Sequence, residues 1–163
     1  LFAAAATSTF AADAPKRKAG LWEIKQNIQG TPAGSMPPIQ QCIDARTDDL
    51  MQQQGRSMAK TNCSQSDVKR DGNRVVLHTV CKVGESTATS DGVFTGDFDS
   101  TYHADLKTKY NPPFQGIPEL AMTIDAKWLG PCGADMKPGD ISIGGMKFNP
   151  AQMLGQRPKP SAQ

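Results

Sequence analysis

Apolar residues recur at every second position in several stretches of this chain, a period that predicts strands rather than helices. In Trp22-Glu23-Ile24-Lys25-Gln26-Asn27-Ile28, the side chains of Trp22, Ile24 and Ile28 fall on one face. Tyr102, Ala104 and Leu106 alternate with His103, Asp105 and Lys107. The cleanest alternation puts Leu120, Met122, Ile124, Ala126 and Trp128 on one side and Ala121, Thr123, Asp125 and Lys127 on the other. Trp22, Ile24, Met122, Ile124 and Trp128 are therefore expected to form the core face, or to line a pocket opened in it. A shorter strand is expected over residues 39–43.

Turn signals divide these stretches. Arg70-Asp71-Gly72-Asn73-Arg74 is the centre of a hairpin running from Cys63 to Lys82. A three-residue loop of Asp71, Gly72 and Asn73 sets Cys63 directly opposite Cys81, whereas a two-residue Asp-Gly turn slips the register and separates them. Disulfide geometry favours the first reading. Gly96-Asp97 suits the turn of a second hairpin, and Asn111-Pro112-Pro113-Phe114 reads as a crossing loop. Only one helix is expected. It is brief, capped by Thr47, carries Asp48 and Asp49 in its first turn, is anchored by Leu50 and Met51, and ends at Gly55. Beyond Cys132 the alternation stops, and residues 133–163 read as a mostly flexible tail. The sum is an all-β, antiparallel domain over residues 18–132. It has about seven strands and one short helix, arranged as a curved sheet or a partly closed barrel; a sandwich fits the same pattern.

Composition narrows the function classes. The 163 residues carry 18 basic and 16 acidic side chains, a net charge of +2, which supplies no field to recruit nucleic acid. Aromatics make up only 6%, so the core must rely on aliphatic and Met side chains. Leu1 to Ala12 is uncharged and ends in small residues before Asp13 and the basic Lys16, Arg17 and Lys18. That segment reads as the remnant of a secretory signal peptide, too short to cross a bilayer, which takes about 20 residues. A periplasmic domain without a transmembrane segment is expected. Its four cysteines then form two disulfides. The hairpin register pairs Cys63 with Cys81, which leaves Cys42 for Cys132.

Candidate chemistry is sparse. His78 and His103 lie in strands, and His103 shares a face with Asp105, an arrangement common on solvated sheet faces. The cysteine spacings do not suit zinc. Met136, Met146 and Met153 are too widely spaced for a copper motif, and Asp91, Asp97, Asp99 and Asp105 fall at turns where Asp is favoured anyway. No catalytic residue, metal or cofactor is expected.

Several segments, taken in order, resemble a known family. They are Gly20-Leu21-Trp22-Glu23; Met36-Pro37-Pro38 ahead of Cys42; Gly72-Asn73 with Cys81; Gly92-Val93-Phe94-Thr95-Gly96-Asp97; Ala126 to Cys132; and Asp135 to Asp140. Over roughly Lys18 to Asp140 the chain resembles the bacterial exported family of the domain of unknown function 3617. The resemblance implies an envelope location and four paired cysteines, and brings no catalytic residues. The expected function is a non-catalytic binding module for a small hydrophobic or lipid-like ligand. The alternative is an envelope protein that docks a protein partner through edge strands or the tail.

Overall fold

The computed structural model describes residues 15–32, 34–150 and 152; the expected signal remnant lies outside them. The elements are β1 (Gly20–Ile28), β2 (Ile39–Ile43), α1 (Ala45–Asn62), β3 (Cys63–Asp71), β4 (Arg74–Val83), β5 (Ser86–Gly96), β6 (Thr101–Phe114), β7 (Ile117–Gly130), β8 (Ile141–Ile143) and β9 (Met146–Phe148). All nine strands join one antiparallel sheet in the order β3-β4-β5-β6-β7-β1-β2-β8-β9. A five-strand meander thus abuts a four-strand run at the β7–β1 pairing. Its edges, β3 and β9, do not pair with each other, so the sheet stays open.

The described residues form nine strands where about seven were expected. The two extra ones fall in the segment read as tail, where Ile141–Ile143 pairs with β2 and with Met146–Phe148. These strands are three residues long, too short to display a period. Cys42 N–H donates to the carbonyl of Asp140 (3.0 Å) and Gly139 N–H to that of Cys42 (2.8 Å), which docks the segment on β2. The buried Asp140 carboxylate accepts from Lys137 N–H and the Asn149 amide. Those donors hold its carboxyl below the usual carboxylate range.

The helix is also longer than expected. It spans 18 residues and runs through Gly55. Asp44, not Thr47, is the N-cap. The Asp44 carboxylate accepts from Thr47 N–H (2.8 Å) and the Thr47 hydroxyl accepts from Asp44 N–H (2.9 Å), a reciprocal capping box.

Register alternation sorts the sheet into two faces. On one, Trp22 pairs with Trp128, Ile24 with Ala126, Ala126 with Tyr102, and Ala104 with Phe94. On the other, Glu23 pairs with Lys127 and Lys25 with Asp125, so opposite charges stand side by side. The core lies on the first face, where Trp22, Ile43 and Ala126 are buried with Ile24, Tyr102 and Trp128 packed around them.

The two disulfides are Cys42–Cys132 and Cys63–Cys81. The turn that aligns the second is not the expected three-residue loop. Asp71 pairs with Arg74 around a two-residue Gly72-Asn73 turn, with Gly72 at φ 58°. A bulge between Cys63 and Gln65 then restores the cysteine pairing. The Pro-rich stretch is likewise no crossing: β6 continues to Phe114 and turns through Gln115-Gly116 directly into β7.

Candidate functional site

Residues Pro15 to Ala19 precede β1 and fold back over the end of the apolar face. Lys18 N–H donates to the Phe98 carbonyl (3.0 Å). The indole N–H of Trp22 donates to the Lys18 carbonyl (2.8 Å), and that of Trp128 to the Ala19 carbonyl (3.1 Å). The Lys18 ammonium sits 3.9 Å from the Trp128 ring centroid. Sharp entry into β1 requires Gly20. Its φ of +138° is open mainly to glycine, and a Cβ there would collide with the Trp128 indole and the Gly130 carbonyl.

This arm delivers Arg17 to α1. The Asp48 carboxylate, in the first turn of the helix, accepts from Arg17 Nε (3.0 Å), Nη2 (2.8 Å) and backbone N–H (3.1 Å). Arg17 Nη1 donates to Gln41 Oε1 (3.0 Å), and Gln52 Nε2 reaches the second Asp48 oxygen at 3.4 Å. Only 4% of the Asp48 side chain and 13% of the Arg17 side chain are exposed. Breaking such a pair by removing one partner costs far more than a surface ion pair, because the survivor stays buried and uncompensated.

Between this ion pair and the sheet is a cavity of about 290 Å³. Val68, Val75, Leu77, Phe94, Phe98 and Tyr102 form its apolar wall, drawn from β3, β4, β5, β6 and the loop before β6. Phe98 stacks on Tyr102 at 5.3 Å, and Tyr102 meets Trp22 at 5.6 Å, so the wall continues into the core. Phe98 holds a positive φ of 59° in a loop organised by Asp97. The Asp97 carboxylate accepts from the N–H groups of Asp99, Ser100 and Thr101 and from the Ser100 hydroxyl, and is held far below the usual carboxylate range. A separate groove lies between α1 and β8, lined by Leu50, Met51, Ile141 and Pro150. Among the described residues, the cavity lining has no Cys, Ser or His; its chemistry is apolar burial beside a fixed ion pair.

The residues expected to line a pocket share a face, as their alternation implies, and divide along it. Trp22, Ile24 and Trp128 build the filled core. Ile124 and Met122 are half-buried farther along β7, and Met122 borders a second depression lined mostly by polar-face residues, Asp91, Asp105, Lys107 and Thr123 among them. The cavity beside the Arg17–Asp48 pair is displaced toward β3–β6. None of the six apolar wall residues, Val68, Val75, Leu77, Phe94, Phe98 and Tyr102, is among the residues expected to line a pocket. The spacing of Val75 and Leu77 on a strand is visible in sequence, but nothing local says that a helix stands off from them.

The histidines stand on the opposite, polar face, both on the same side of the sheet. His78 Nδ1 meets Asp91 at 2.6 Å. His103 Nδ1 meets Asp125 at 2.7 Å across the β6–β7 ladder, and its Nε2 lies 3.4 Å from Asp105. The Asp125 hydrogen bond, with Asp105 adding to it, raises the His103 pKa. Among the described residues, no three His, Cys, Asp or Glu side chains are grouped to hold a metal ion. Among them, too, no helix is long and apolar enough to cross a membrane.

No curated protein and no solved structure matches the chain. The family model described as "Protein of unknown function (DUF3617)" matches residues 17–132, from the arginine of the buried ion pair to the last disulfide cysteine. That span takes in Arg17, α1 and every apolar wall residue of the cavity, and the chain belongs to the DUF3617 family.

Proposed function

We propose that this domain is a non-catalytic binding module of the bacterial cell envelope that holds a small hydrophobic ligand in the cavity between α1 and the sheet. The observation that carries the reading is the lining: six apolar side chains from four strands and a loop converge on a space of about 290 Å³, near the lower end of small-molecule sites. A core built only for stability closes such a space, because interiors pack to crystal-like density. Two disulfides fit an oxidising compartment and keep the frame rigid. Native mass spectrometry of protein isolated from its own periplasm tests the reading. The expected spectrum contains a mass excess that organic extraction removes; a bare chain mass from gently isolated protein overturns it.

One observation favours a second reading, docking of an envelope protein on the sheet edge. Edge strand β9 exposes Met146 at 73% and Phe148 at 38%, beside backbone groups that a strand from a partner would pair. Met146→Glu would then abolish a cross-linked partner while leaving a retained ligand in place.

A further inference from the structure

The charge arrangement inside the cavity selects the kind of ligand. Resting on the reading of the cavity as a ligand site, we infer that it takes an uncharged alkyl chain, as in a neutral lipid or long-chain alcohol, and rejects the corresponding carboxylate or ammonium. Among the described residues, the charged groups in the lining are Arg17 and Asp48, and they are committed to each other. One Asp48 oxygen accepts Arg17 Nε and Nη2; the other accepts Arg17 N–H and the Gln52 amide. Arg17 Nη1 is held by Gln41, itself buried and donating its amide to Met51 Sδ at 3.1 Å. Among the described residues, no buried side-chain nitrogen or oxygen lacks a partner. An incoming carboxylate therefore finds Asp48 beside any approach to Arg17, and an ammonium finds Arg17 beside Asp48. Either ligand charge would lose its hydration without gaining a counter-charge, a penalty much larger than that of an uncharged hydroxyl or ester. The remaining wall, Val68, Val75, Leu77, Phe94, Phe98 and Tyr102, rewards an apolar chain of either kind equally, so discrimination falls to the ion pair.

The test uses the full chain, with both disulfides formed, and the neutral fluorophore N-phenyl-1-naphthylamine. The fluorophore is displaced at pH 8 by 1-decanol, decanoate or decyltrimethylammonium, each below its micelle-forming concentration. Decanol should displace it at a concentration at least about tenfold lower than either ion, the factor set by about 1.4 kcal/mol of uncompensated desolvation. Leu77→Trp, which fills the cavity, should weaken fluorophore and decanol binding together. Asp48→Asn removes the charge that masks Arg17 and should shift preference toward decanoate, with folding followed by circular dichroism. If the fluorophore fails to bind the wild-type chain, the binding-module reading itself falls. If it binds and decanoate competes as well as decanol, the module reading stands and the selection of a neutral chain is overturned. Unchanged binding in Leu77→Trp would remove the ligand from this cavity. Should Asp48→Asn unfold, the wild-type comparison of the three amphiphiles decides alone.

Discussion

At the scale of single residues, the polar face records how cross-strand pairing sets protonation. His103 stands between Asp125 on β7 and Asp105 on its own strand, and Asp125 also pairs with Lys25 on β1. Hydrogen bonding to Asp125 raises the His103 pKa, so the folded protein binds that proton more tightly than the unfolded chain. The resulting stability is fully present below the unfolded histidine value near 6.5 and is lost as pH rises through the higher folded value. The side chain is 42% exposed, so water screens the effect and the contribution is small. Melting temperature followed from pH 5.5 to 8.5 should fall more in the wild type than in His103→Asn; parallel curves would show that the contact contributes nothing. Asp44, Asp97 and Asp140 act in the opposite sense. Their depressed pKa values give stability that is present above the unfolded carboxylate value and lost as pH falls. Sequence placed His103 and Asp105 on one face, but the stronger partner, Asp125, is 22 residues away and emerges only from the β6–β7 register.

At the scale of elements, α1 shows most plainly where local signals stop. Its start is legible from Asp44 and Thr47, yet the obvious hydroxyl belongs to the third helical residue and the preceding aspartate is the cap. Its end is misleading in sequence because glycine commonly terminates helices in the left-handed conformation. Here Gly55 lies inside the helix, has no left-handed φ, and a Cβ there would meet nothing within 4 Å. Glycine only weakens such a site, by about 0.5–1 kcal/mol relative to alanine. Gly55→Ala should therefore stabilise the protein by about that amount in chemical denaturation, and a loss of stability would mean that the helix needs glycine there. The helix has few apolar anchors of its own, with Leu50, Met51 and Met58 substantially exposed and Asp48 its buried residue. Its buried Asp48 is bonded to Arg17, 31 positions earlier, a contact that leaves no mark in the local periodicity. The cavity lies where an ion pair, rather than a hydrophobic stripe of α1, faces the sheet, so strand periodicity does not register it.

At the scale of the whole molecule, connectivity gives the two disulfides unequal work. Gly130 pairs with Leu21 and Leu21 with Cys42, so the Cys42–Cys132 bridge crosses over β1 and ties the end of the meander to β2, the strand on which β8 and β9 are built. The Cys63–Cys81 bridge staples one hairpin at the sheet edge. Sequence reaches Cys63–Cys81 through the demand that a disulfide places on a hairpin, and Cys42–Cys132 as the pair that remains. The bulge that lets a two-residue turn coexist with the Cys63–Cys81 pair is a compensation that no single turn signal announces. The bridges close loops of 90 and 18 residues. Constraint of the unfolded chain then contributes about 4.6 kcal/mol for the long loop and about 3.2 kcal/mol for the short one. Replacing both cysteines of a bridge by alanine should therefore cost about 1.4 kcal/mol more for Cys42 and Cys132 than for Cys63 and Cys81. The native state widens the gap, since Cys42 is fully buried at the junction that β8 also uses, whereas Cys63 and Cys81 are only half-buried. For a chain of this size the double variants should differ in melting temperature by about 3–6 °C, the Cys63/Cys81 variant being the more stable. Equal melting temperatures, or the reverse order, would show that the edge hairpin rather than the β1–β2–β7 junction limits the stability of the sheet.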